Sequence, residues 1–218
     1  GFAQGSLLVE QGGTVDAAGA GILVGGGLNN TQTATGVLTV RDGGSVTADT
    51  VWVQKGGVLN GAGGTINGNI VLAGGTLAPG NSPGTMVVDG DLELLDGILQ
   101  IEIGALASDS FVVSGLVTFG ADLIIELVFL DQPAPGVEVD IASFFTGNAV
   151  LDFDQFDLET QLAVTGLGKG ETATVRLDED IVMVGNPAGS EVPAPASLAL
   201  LAGALAGFGL LRRRATAS

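Results

Sequence analysis

Apolar and polar residues alternate through the first part of the chain, and the alternation restarts at Gly-Gly pairs. Leu38 and Val40 precede one such pair and Val46 follows it; Val51 and Val53 precede the next and Leu59 follows. A period of two sends one set of side chains inward and the other outward, as in short β-strands. The unit also recurs: Val9-Glu-Gln-Gly-Gly-Thr-Val15, Val40-Arg-Asp-Gly-Gly-Ser-Val46, Val53-Gln-Lys-Gly-Gly-Val-Leu59 and Val71-Leu-Ala-Gly-Gly-Thr-Leu77. Val-x-x-Gly-Gly-x-(Val/Leu) reads as a strand end, a tight turn needing φ > 0, and a new strand. Successive copies lie 31, 13 and 18 residues apart, uneven as in coils that carry loops of different length. Short strands stacked at roughly 20 residues per coil predict an all-β, right-handed parallel β-helix. The alternative is an antiparallel sandwich or meander, since Gly-Gly turns also close hairpins. The regular Val, Leu and Ile placement argues against glycine-rich disorder. Trp52, the only tryptophan, reads as a packing residue on a coil face.

Past the fourth Gly-Gly pair, Gly74 to Leu94 resembles the passenger-associated repeat of autotransporter β-helices. The core of that repeat, Gly-Thr-Leu-x-Pro-Gly-Asn-Ser-Pro-Gly, stands at Gly75–Gly84. Pro79 and Pro83 fix φ while Gly80 and Gly84 supply turn freedom, which predicts a rigid corner between coils. The run from Asp109 to Leu127 continues in the same manner. No outer-membrane barrel follows, so the resemblance implies a β-helical stalk and not self-transport.

The texture changes at Asp131. Pro133 and Pro135 mark a loop, and strand-like runs follow at Val137–Phe145, Val150–Leu158, Thr172–Leu177 and Ile181–Val184. Asp152 and Asp154 are expected on one face of a strand, and Asp178-Glu179-Asp180 in a turn. Such carboxylates suit Ca²⁺, a hard cation that takes oxygen ligands; the competing reading is a solvated acidic face. No EF-hand or RTX spacing is present.

Charge and composition narrow the chemistry. The chain has no Cys and no His, which removes thiol nucleophiles, disulfides, His-based triads and the usual zinc sites. Up to Glu191, 24 acidic side chains face only Arg41, Lys55, Lys169 and Arg176, a surface that repels nucleic acid. Anionic polysaccharide would need bridging divalent cations. The carboxylate pairs Asp89/Asp91 and Asp152/Asp154 have the i, i+2 spacing that sets two acids about 6–7 Å apart on a strand, enough for glycoside hydrolysis. With no Tyr and so few basic groups, the sequence reads as non-enzymatic, and a carbohydrate-active β-helix enzyme is the alternative.

The tail has a different character. Ala196 to Leu211 is unbroken apolar sequence, closed by Arg212, Arg213 and Arg214. A helix of this length covers about 24 Å, slightly less than the ~30 Å hydrocarbon core. The arginines favour the cytoplasmic side and leave residues 1–191 outside. With Val192-Pro193-Ala194-Pro195 ahead of it, the tail resembles a PEP-CTERM sorting signal, with Ala194 in place of the usual glutamate. The resemblance implies recognition by an exosortase, a membrane-embedded protease-like enzyme of Gram-negative bacteria that make extracellular polysaccharide.

The chain opens at Gly1 without a signal-peptide pattern, so the sequence reads as a fragment whose signal peptide lies upstream. The expected organisation is a β-helical region over 1–130, a β-rich continuation or cap over 131–186, a linker over 187–195 and a transmembrane sorting segment over 196–218. The expected function is an exported structural or adhesive protein, briefly anchored in the inner membrane and then held at the cell surface or in the exopolysaccharide matrix.

Overall fold

The computed structural model describes residues 4–26, 34–80, 83–134, 136–178 and 180–185, and the backbone of 211–212. Val192, Pro193, Ala194, Pro195, Arg213, Arg214 and most of the apolar run lie outside the described residues. The first ten strands are β1 Gln4–Val9, β2 Thr14–Val24, β3 Thr35–Val40, β4 Ser45–Gln54, β5 Gly57–Asn60, β6 Gly64–Ala78, β7 Thr85–Asp89, β8 Leu92–Ile103, β9 Ser110–Val113 and β10 Leu116–Phe129.

Each strand pairs in parallel with one or more a coil away, so the backbone winds round three sides. On the first side one inward position runs Leu7, Leu38, Leu59, Leu77, Leu99, Ile125. The second side stacks Val15, Val46, Ile66, Val88 and Val113. The third stacks Ile22, Val51, Ile70, Leu92 and Val117. From Leu38 to Ile125 every one of these rungs is buried. At ~1.5–3 kcal/mol per buried aliphatic side chain, this column is the main source of stability. The strands flanking Gly43-Gly44 belong to different sides and pair with neighbouring coils, not with each other. The antiparallel alternative therefore fails here.

The Gly-Gly corners differ from expectation in one respect. Gln11-Gly12 and Asp42-Gly43 take positive φ at both central positions, with Gly13 N–H donating to Glu10 O at 2.9 Å and Gly44 N–H to Arg41 O at 2.8 Å. These are type I′ turns. The second glycine of each pair is needed for space, not for φ. A Cβ on Gly44 would lie 2.2 Å from Val9 O, and one on Gly57 2.1 Å from Val24 O. The coil above touches the backbone of the coil below. Pro79 and Gly84 likewise sit at the turn from β6 to β7, so the Gly75–Gly84 segment makes a corner within one coil; Asn81 and Ser82 lie outside the described residues.

Beyond Phe129 the chain serves two sheets. β12 Phe145–Gly147, β13 Val150–Asp152 and β14 Leu162–Thr165 extend the three sides of the solenoid. β11 Val137–Asp140, β15 Thr172–Leu177 and β16 Asp180–Gly185 form a separate mixed sheet. The expected strand Val137–Phe145 is interrupted by a 3-10 turn, Ile141–Phe144, which Asp140 caps through Ala142 N–H. Seven of the nine phenylalanines lie between positions 111 and 156. Phe119 contacts Phe145, Phe153 and Phe156, and Phe145 stacks on Phe111 at 5.5 Å. Apolar residues of the small sheet join the same core, so aromatic packing closes this end of the aliphatic column. Leu211–Arg212 forms a two-residue strand, β17, against Met183 and Val182. The backbone at Leu211 is thus extended where the sequence predicts the end of a helix. No helix among the described residues is long and apolar enough to cross a membrane.

The corners give a direct comparison. Gly12 combines φ +76° with open space, whereas Gly44 meets backbone. Gly12→Ala is expected to cost about 1 kcal/mol, the left-handed penalty alone. Gly44→Ala is expected to cost about 3 kcal/mol, because a neighbouring coil must move. Equilibrium urea denaturation measures both, and equal losses would contradict close approach as the constraint at Gly44.

Candidate functional site

The acidic residues are the natural candidates, and several of those placed by the fold hold backbone. The corner between the second and third sides shows this best. Asp49 accepts from Gly19 N–H at 2.9 Å, Asn69 from Asp91 N–H at 2.9 Å and Asp91 from Leu116 N–H at 2.8 Å. In each bond a side chain of one coil satisfies a backbone donor of an adjoining coil, where a bent strand would leave it unpaired. Asp89, at the end of β7, accepts from Ser114 Oγ at 2.9 Å. Asp89 and Asp91 are therefore corner braces. General acid or base work by Asp91 would cost it the Leu116 bond.

Asp152 and Asp154 do not share a strand. β13 ends at Asp152, whose Oδ1 accepts from Asp154 N–H at 3.1 Å in a turn. The reason lies two turns on. Gln161 is buried and donates to Gly120 O and Leu123 O at 2.8 and 2.6 Å, while its Oε1 accepts from Asp157 N–H at 2.7 Å. That amide pins residues 153–161 to the bulge in β10 and prevents an extended run. Asp178 takes φ +51° in the turn between β15 and β16, as the acidic turn predicts, and Asp180 opens β16. Asp180 instead comes near Asp157 and Glu159. These three, with Phe156, Leu158, Ile181 and Val182, line an open notch of ≈ 180 Å³. Among the described residues no three acidic groups converge as metal ligands.

Arg41 and Arg176 are engaged elsewhere. Arg41 bonds Glu10 of the preceding coil at 2.6 Å, and this bond raises the Arg41 pKa. Arg176 bonds Asp140 across the small sheet at 2.9 Å. Trp52 packs outside the coil and not within it. Its ring covers Gly21, where a Cβ would lie 2.3 Å from Cζ3, and its neighbours in register are Leu23 and Val71.

The sequence gives little warning of the most perturbed group. Asp109 is fully buried, with Oδ1 accepting from Gly84 N–H at 2.7 Å and Oδ2 from Glu102 N–H at 2.9 Å. It ties the Pro83-Gly84 corner to the next coil. Burial raises its pKa to about 6, against the opposing pull of those two N–H donors and with a smaller push from the Glu102 charge. Its only sequence signal is an acid standing immediately before the apolar β9.

Comparison with known proteins yields no match to a family model, a curated protein or a solved structure.

Two outcomes follow from this geometry. With its pKa raised in the folded state, Asp109 contributes stability that is complete below the ordinary carboxylate range and lost as pH rises through about 6. Between about pH 4 and pH 7 the stability of the native chain is expected to fall, relative to Asp109→Asn, by roughly 2–3 kcal/mol. A difference independent of pH would contradict the buried, protonatable carboxyl. For calcium, the melting temperature is expected to move only a few degrees between chelator and millimolar Ca²⁺. A rise of tens of degrees would assign Asp157, Glu159 and Asp180, or Asp152, Asp154 and Asp178, to a structural ion.

Proposed function

We propose that this chain is an exported, non-enzymatic structural or adhesive protein of a Gram-negative cell surface or exopolysaccharide matrix. Its coils wind right-handed, as parallel crossovers do, into a stalk. The observation that carries the reading is the use of side chains. Aliphatic rungs fill the interior, and Asp49, Asn69, Asp91 and Asp109 bond backbone N–H groups of adjoining coils. The acids serve the scaffold, and the scaffold is what the repeat builds. The remaining acidic surface repels anionic polymers unless divalent cations bridge them, which suits a matrix component that stays soluble until such cations are present.

The tail supports the delivery step. Pro193 and Pro195 keep the approach to the membrane extended. In the membrane, Ala196 to Leu211 acts as a temporary anchor helix, which requires Leu211 and Arg212 to leave the β17 pairing with Met183 and Val182. Arg212, Arg213 and Arg214 hold it, since dragging an arginine through hydrocarbon costs at least ~2.5 kcal/mol on insertion scales. An exosortase-like protease then removes the tail and passes the stalk outward.

Mass spectrometry of the mature protein from its native host tests this sequence of events. Loss of the residues beyond the Val192–Pro195 motif is expected in the exported pool. A surface-located chain still ending at Ser218 would leave a plain anchor and defeat the sorting step. Replacing Arg212–Arg214 by Ser is expected to cause leakage or misorientation, read by protease accessibility of residues 1–191.

A further inference from the structure

Three successive coils meet at the corner that follows the first side, and one carboxyl ties them together. Asp109 is fully buried. Its Oδ1 accepts from Gly84 N–H at 2.7 Å, in the corner of the preceding coil, and its Oδ2 from Glu102 N–H at 2.9 Å. The main chain repeats the tie: Asp109 N–H donates to Glu102 O at 2.8 Å and Ser110 N–H to Gly84 O at 2.9 Å. Residues 103–108 form a short hairpin spur here. It is closed by the antiparallel bridge of Ile103 with Ser108 and by Gly104 N–H on Ala107 O. Ala105 N–H in turn donates to Asp131 Oδ2 of the following coil at 3.1 Å.

The spur carries no rung. Ala105, Leu106 and Ala107 are exposed, and Leu106 lies wholly in solvent. Beside it Leu99 and Ile101 stack on Ile125 and Leu127, all fully buried. Lifting the spur uncovers little apolar surface, whereas parting those rungs uncovers a great deal, so the two open at different levels of stability. The charges round Asp109 do not offset its burial. Glu102, at the end of β8, pushes in the same direction as desolvation. Asp131, after β10, is another acid, and Asp140, on the 3-10 turn beside β9, is bonded to Arg176. The Pro83–Thr85 corner, residues 103–108 and β9 carry no titratable side chain.

We propose that Asp109 is a pH-sensitive latch at this corner: uncharged, it holds the spur and the Pro83-Gly84 turn closed, and on ionising it releases them together while the rungs on either side stay packed. A neutral carboxyl is buried at small cost, and an ionised one without a cation is not. The folded chain relieves that cost where it opens most easily, at the spur. Closing takes up a proton, because the closed carboxyl titrates at about 6 and the solvated one in the ordinary carboxylate range. The closed corner is fully favoured below that range and loses its advantage as pH rises through about 6. Release frees the N–H groups of Gly84, Glu102 and Ser110 at once, so one corner of the stalk is rigid in acid and loose at neutral pH. The latch involves none of the tail and is independent of the sorting proposal.

Hydrogen exchange of backbone amides in the full-length chain, kept in mild detergent, reads the latch. After correction for the intrinsic pH dependence of exchange, protection at Gly84, Glu102, Asp109 and Ser110 is expected to fall by about fiftyfold between about pH 4 and pH 7.5. At every pH these amides are expected to exchange at least about tenfold faster than the ladder amides of Leu99 and Ile125. In Asp109→Asn the pH dependence is expected to vanish. Glu102→Gln, which keeps the buried carboxyl, is expected to move the midpoint of the fall to lower pH. Constant protection at the four amides of the wild-type chain, or a fall that persists in Asp109→Asn, would overturn the latch. So would corner amides as well protected as those of Leu99 and Ile125, since Asp109 would then be released only by unfolding of the whole solenoid.

Discussion

In-register stacking of aliphatic side chains beneath a parallel hydrogen-bond ladder is the interaction on which the rest of this molecule depends. No single coil can bury its own inward residues. Leu59 is covered only because Leu38 and Leu77 lie one coil away on either side, and the same holds for Ile66 between Val46 and Val88. Stability is therefore a sum of nearest-neighbour contacts along one axis. Two needs follow: the ends must be covered, and the corners must let backbone approach backbone.

The corners explain the composition. Thirty-seven glycines are a poor recipe for an isolated strand, since each loses conformational entropy on folding. They persist because the chain must bend between sides without lifting the coils apart. Where glycine alone does not suffice, Asp and Asn side chains complete the bend by accepting the N–H that the ladder leaves over. Acidic residues thus do two jobs: they brace corners within, and they charge the outer surface of a fold whose flat sides would otherwise aggregate.

Much of the solenoid was legible in the repeat. Val40 before Gly43-Gly44 and Val46 after it are inward on adjacent sides, as the period of two requires, whereas the Gly75–Gly84 segment lies at a corner within one coil and not between coils. Three things were hidden. The role of Gly44 depends on Val9 O, a residue far away in sequence, so the local turn chemistry pointed to φ when the constraint was space. The path after Asp152 is set by Gln161, whose buried amide reaches Gly120 and Leu123; alternation around Phe153 and Phe156 looks like a strand until that bond is known. Asp109 resembles any other acid in an acidic chain, and only the fold gives it two donors and full burial. Of the spaced carboxylates, Asp91 and Asp152 are taken up by backbone N–H groups and Asp89 by the Ser114 hydroxyl, because short carboxylates beside turns are readily used by nearby backbone.

Paired cysteines in this cysteine-free chain measure the parallel coil-on-coil register most directly. Thr47 and Asn67 are register partners on adjoining coils with bonded side chains, within reach of a disulfide. Oxidation of Thr47→Cys/Asn67→Cys is expected to give an intramolecular link in nearly all molecules, with raised thermal stability. Thr39→Cys/Val46→Cys, which would face each other in a hairpin about Gly43-Gly44, is expected to remain reduced. Linking of the second pair and not the first would contradict the solenoid.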